Sequence, residues 1–172
     1  MDWKMKMIAL GILVAAGGVV VLQAVQGARA DGLVKITKER IAMDEEIRTL
    51  CIGPERVVGP HAVAEVDLFV NPAVLDYRKA NPGKFDYPIG SVFVKEKYPA
   101  ANAREPDLAT KMEKVRESGT VADWVFSIYT LPEGEPIEPK GRVSCASCHE
   151  RYERQGFVSG RSEAALVDFL GE

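Results

Sequence analysis

The longest apolar stretch comes first. Met7 to Leu22 is a run of 16 residues that are apolar or glycine, preceded by Lys4 and Lys6 and followed by Ala28-Arg29-Ala30. A basic start, an apolar middle and a small-x-small ending form the layout of a secretory signal peptide, with cleavage expected after Ala30. An uncleaved N-terminal membrane anchor over residues 7–25 is the alternative. The run is slightly long for a leader and slightly short for a spanning helix. Beyond it the pattern changes. Ile36, Met43, Ile47, Leu50 and Cys51 fall on one face at helical spacing, which predicts a helix over 35–51 ended by Gly53-Pro54. The valine-rich segment 62–70 predicts a strand. Asn71-Pro72 then reads as an N-cap followed by proline at the first helical position, with the helix running to Ala80. Ser91 to Tyr98 predicts a second strand, with Val92, Val94 and Glu96 on one face and Phe93, Lys95 and Lys97 on the other. Residues 99–110 read as a polar loop or short helix, and Met112 to Arg116 as a weak third strand. Residues 122–131, aromatic and β-branched, give the clearest strand. A terminal helix is expected from Ser162 to Leu170. The expected fold class is α+β: a single domain, mainly an antiparallel β-sheet with flanking helices.

Composition narrows the function classes. The chain has 172 residues, 47% hydrophobic and 27% charged, with a formal net charge of −3. This is globular composition. No basic run offers an electrostatic footprint for nucleic acid, so nucleic acid is not an expected partner. Loss of residues 1–30 leaves 19 basic and 24 acidic side chains, a net charge of −5. The expected organisation is a signal peptide or anchor at 1–30 and an exported, periplasmic domain at 31–172.

The three cysteines are too few for a disulfide scaffold, and two of them have a specific setting. Cys145-Ala146-Ser147-Cys148-His149 is the C-x-x-C-H pattern of covalent haem attachment. Two thiols three residues apart can each add to one vinyl group of a haem lying on the same turn. The adjacent His149 then offers its imidazole to the iron as proximal ligand. The expected cofactor is one haem c per chain, and export agrees with that chemistry. A thioredoxin-like redox pair would call for a βαβ context. A zinc site would call for two further ligands, with Cys51 and His61 remaining. Candidates for a sixth iron ligand are Met43, Met112 and His61. Met43 falls on an apolar helical face, Met112 lies between Lys111 and Glu113, and His61 sits in a turn after Gly59-Pro60. None has a ligand-like setting, so the pattern predicts a five-coordinate iron with one open face.

The sequence also resembles the cytochromes P-460. The matching stretches are Phe69-Val70-Asn71-Pro72, then Pro88-Ile89-Gly90-Ser91-Val92-Phe93-Val94-Lys95-Glu96-Lys97, then Asp123-Trp124-Val125-Phe126, then the CASCH motif, then Gly156-Phe157-Val158. They span roughly residues 55–160 in the family's order. The resemblance implies a periplasmic, mostly β, single-haem protein, often a homodimer. It implies chemistry on hydroxylamine or nitric oxide, with a soluble cytochrome as redox partner. It places Lys95 at the lysine that, in cross-linked members, is bonded to the haem edge beside the two thioether bonds. The related β-type cytochromes c-prime share the fold, lack that bond and bind gases.

One departure bears on substrate. Active members place a carboxylate just ahead of the first haem cysteine, and this chain has Ser144 there. Glu65 and Asp67, in the strand before Phe69, are the alternative bases. Phe93 shares a strand face with Lys95 and either walls the haem pocket or packs as a core aromatic. Trp124 and Phe126 are expected to pack in the core, against the porphyrin. Arg151 and Arg154 are candidates for pairing with haem propionates, or are plain surface arginines. Cys51 reads as a buried free thiol. Enzyme, non-catalytic gas binder and electron carrier all remain open at this point.

Overall fold

The computed structural model describes residues 32–43, 65–137 and 145–172. The predicted leader at 1–30, Cys51, His61 and Ser144 lie outside them. Six strands form one sheet: β1 (Val34–Lys35), β2 (Ile41–Ala42), β3 (Glu65–Val70), β4 (Val92–Tyr98), β5 (Leu108–Lys114) and β6 (Trp124–Thr130). Their order is β1-β3-β4-β5-β6, with β2 also on β3, and every pairing is antiparallel. Among the described residues the helices are α1 (Pro72–Ala80), α2 (Cys145–His149), continued as a 3-10 turn over Glu150–Gln155, and α3 (Gly160–Leu170). The α+β architecture with an antiparallel sheet is thus the observed one. Among the described residues no helix is long and apolar enough to cross a membrane.

Register sorts the side chains. Lys95 stands opposite Leu68 on one side and Thr110 on the other. The period of two therefore gathers Val66, Leu68, Val70, Phe93, Met112 and Trp124 on one face. These residues join Val74 and Leu75 of α1, and Ala165 and Leu166 of α3, in the main core. Aromatic rings run through it: Tyr87 meets Phe93 edge-on at 5.1 Å, and Phe93 meets Trp124 at 6.1 Å. Arg78 of α1 is buried and reaches both Glu163 and Glu172, the latter at 2.6 Å, so an ionic cluster ties α1 to α3. Tyr87 adds a hydroxyl that donates to Glu163 at 2.5 Å. The other sheet face carries a smaller cluster, Val92, Val94 and Ala109, packed with Phe69, Tyr129 and Leu131.

Several expectations change. The helix predicted from residue 35 is not there over 35–43, where β1 and β2 pair with β3; residues 44–51 lie outside the description. The apolar positions at helical spacing also suit two short edge strands, and pairing along β3 decides. The third strand is Leu108–Lys114, displacing both the loop expected through 110 and the strand expected to reach Arg116. Asn71 does occupy the N-cap of α1, but its side chain makes no cap bond. Its amide instead donates to the Gly90 carbonyl at 2.7 Å and accepts from the Val92 N–H at 3.0 Å, which ties the start of α1 to the start of β4.

Candidate functional site

The CASCH segment forms one helical turn, and the chain beyond it sets the imidazole. The 3-10 turn after His149 ends at Gly156 and Phe157, both at positive φ, 60° and 68°. Gly156 is required twice over: its φ disfavours a side chain, and a Cβ there would overlap the Phe85 carbonyl oxygen. The reversed chain brings the Phe157 carbonyl back to 2.7 Å from His149 Nδ1. A carbonyl only accepts, so Nδ1 carries the proton and Nε2 carries the lone pair. Burial lowers the imidazole pKa from 6.5 to about 4, against the opposing pull of that hydrogen bond, so the ring is neutral near pH 7. Phe126 packs on it at 4.7 Å and Tyr152 meets it edge-on at 5.9 Å.

His149 and Cys145 open into a cavity whose other walls are the core face of the sheet, with Phe93, Met112 and Phe126 as apolar lining. Lys95 lines it too. Three residues singled out from the sequence, Cys145, His149 and Lys95, therefore border one space although 50 and more positions separate Lys95 from the motif. Cys148 is half-buried on the same turn but outside that lining, and both cysteines are free thiols. Burial pushes the Cys145 thiol up, while the charge of Lys97, buried on the same sheet face, pulls it down. Lys95 also borders a second cavity of about 310 Å³, shared with Met43, Tyr152, Ser159 and Arg161. Its amine donates to Ser159 Oγ at 2.9 Å. Burial, with Arg161 as the smaller cause, lowers its pKa to about 8.

Other candidates are sorted by the same geometry. Phe93 both lines the cavity and belongs to the core, so its two readings are one. Trp124 is a core residue and Phe126 lies against the imidazole. Glu65 and Asp67 are corrected: they stand opposite Tyr98 and Glu96, on the sheet face away from Lys95. There Asp67 accepts from Thr37 and Tyr98 and pairs with Lys35, and Glu65 lies 3.8 Å from Arg40. Arg151 and Arg154 are exposed, whereas Arg161 borders the second cavity beside Lys95. Sequence reasoning missed Ser159, Arg161 and the Phe157 carbonyl. The local signal that could have pointed to them is Gly156 followed by Ser159 just ahead of the terminal helix.

No family model matches this chain, and no curated protein matches it. Fit to a haem rests on the residues themselves. Two free thiols and a neutral imidazole with Nε2 available stand on one turn, and Cys145 and His149 face aromatic and apolar side chains. That donor set and lining suit a haem c.

Proposed function

We propose that this chain is an exported mono-haem c-type cytochrome acting on hydroxylamine or nitric oxide in the periplasm. The observation that carries the reading is the His149–Phe157 hydrogen bond, which fixes the tautomer and leaves Nε2 for iron beside two cysteines. Cys145 and Cys148 would each add an S–H across one vinyl group, forming two thioether bonds. Once bound, the haem supplies one-electron chemistry and a coordination face for a small nitrogen oxide. The chain's residues do the rest. Phe126 and Tyr152 hold the imidazole plane, Phe93 and Met112 keep water from the cavity, and Lys95 presents an amine to it. The resemblance to the cytochromes P-460 supports this reading and adds Lys95 as a third covalent attachment. That attachment would join the Lys95 amine nitrogen to a haem-edge carbon in place of a hydrogen, a two-electron oxidation that would need a peroxide as acceptor, itself reduced to two waters. A soluble cytochrome as electron acceptor and a homodimer belong to the same proposal.

A second reading is a gas-binding (NO or CO) or electron-transfer cytochrome without turnover. It gains from one observation: the two carboxylates considered for proton uptake, Glu65 and Asp67, lie on the far sheet face. Replacing Cys145 and Cys148 together with alanine decides the attachment. Acid–acetone extraction is expected to strip all haem from the variant and none from the parent; haem retained by the variant overturns it. A proteolytic digest of the parent is expected to yield a haem-bearing species with both the CASCH and Lys95 peptides. A free Lys95 peptide removes the third bond and favours the second reading.

A further inference from the structure

Ser159 is the N-cap residue of α3, yet its hydroxyl makes no bond to the helix backbone. A serine in that position ordinarily accepts from the second or third N–H of its helix. Here Oγ accepts from the Lys95 amine at 2.9 Å and shares a hydrogen bond with Ser162 Oγ at 3.0 Å. Both serines are buried, at 7% and 2% exposure, so the pair is not a surface accident. We propose that Ser159 is the positioning residue for Lys95, and that the segment 156–162 sets lysine and proximal histidine in one frame.

The segment has the rigidity for this. It enters through two residues at positive φ, and Val158 is fully buried in the main core. Phe157 gives its carbonyl to His149, and two residues later Ser159 gives its hydroxyl to Lys95. A lysine has four rotatable carbons and would otherwise extend toward water. The positive charge of Arg161, two residues past Ser159, also disfavours a charged amine nearby. The Ser159 oxygen offsets both tendencies by accepting from the amine. The orientation of Lys95 relative to the iron ligand then depends on one short segment rather than on β4 alone. This inference rests on the haem reading for its consequence but not for its geometry.

The test uses the full chain as isolated, with Ser159→Ala and Ser159→Thr. Lys95 is read in two ways: brief acetylation at one pH, quantified by mass spectrometry against the exposed Lys38, and the fraction of haem peptide that also carries Lys95. In the parent, Lys95 is expected to be joined to haem or acetylated far more slowly than Lys38. Ser159→Ala is expected to raise Lys95 acetylation about tenfold, the loss of one charge-assisted hydrogen bond, or to cut the joined fraction by a similar factor. Thioether-bound haem is expected to be unchanged, and Ser159→Thr, which keeps a hydroxyl, to restore the parent values. The proposal is overturned if Ser159→Ala leaves both readings at the parent value, or if the threonine variant behaves like the alanine one. A parent without haem overturns the proposed function instead, and acetylation of that protein still decides the role of Ser159.

Discussion

Gly156 shows how much can hang on a residue without a side chain. It turns the chain after the motif so that the Phe157 carbonyl meets His149, and its α-carbon lies against the Phe85 carbonyl. Gly156→Ala combines an unfavourable φ with a backbone overlap. It is expected to lower stability by about 3 kcal/mol, measured by urea unfolding, and to weaken the His149–Phe157 bond. The same substitution at Gly83, also at positive φ but with open space around it, is expected to cost only about 1 kcal/mol. The chemistry-bearing residues were legible because covalent spacing defines them: Cys145, Cys148 and His149 are neighbours in sequence. Ser159 was not legible. Nothing local distinguishes it from an ordinary helix cap, and its partner lies 64 residues away.

Among the elements, strands 65–70, 92–98 and 124–130 and helices 72–80 and 160–170 follow from alternation, β-branching and capping residues, within three residues at each end. β5 was poorly legible because LATKMEK contains residues with weak strand preference. It forms because β4 and β6 pair with it on both edges. The connection from β5 to β6 is held by an acid. Both oxygens of Asp123 accept the Ser118 N–H at 2.8 Å, one accepts the Gly119 N–H at 2.8 Å, and one accepts the Ser118 hydroxyl at 2.5 Å. The Ser118 hydroxyl and these backbone donors hold its pKa down to about 2, from an ordinary 3.8. Above the ordinary value the acid is ionised in both states and its stabilisation is full. As pH falls toward 2 the unfolded chain takes up the proton first, and the stabilisation is lost. Asp123→Asn is therefore expected to lower stability at neutral pH, because its amide would point N–H groups at donors. It is also expected to flatten the stability curve between pH 4 and 2, as followed by thermal melts across that range.

At the scale of the whole molecule, the sheet and the CASCH motif have different supports. The main core runs from Ile36 through the strands to Leu166 and contains no residue of the CASCH turn; only Ala146 packs against it, half-buried. No side chain of Cys145–His149 is fully buried, and the turn is fixed by the Phe157 carbonyl and by Phe126. Two thioether bonds and an iron ligand would join that turn to the sheet face through one rigid body. Hydrogen exchange read by mass spectrometry separates the two supports. In the double Cys145→Ala, Cys148→Ala variant, β3, β4 and β5 are expected to keep the protection of the parent, because their partners are strands. Residues 145–155 are expected to exchange at least about tenfold faster than in the parent, since the proposed thioether bonds would no longer restrain that turn. Equal protection of 145–155 in both proteins would mean that packing against Phe126 and the Phe157 carbonyl suffices to hold the motif. The turn would then be a preformed cradle rather than one completed by its cofactor.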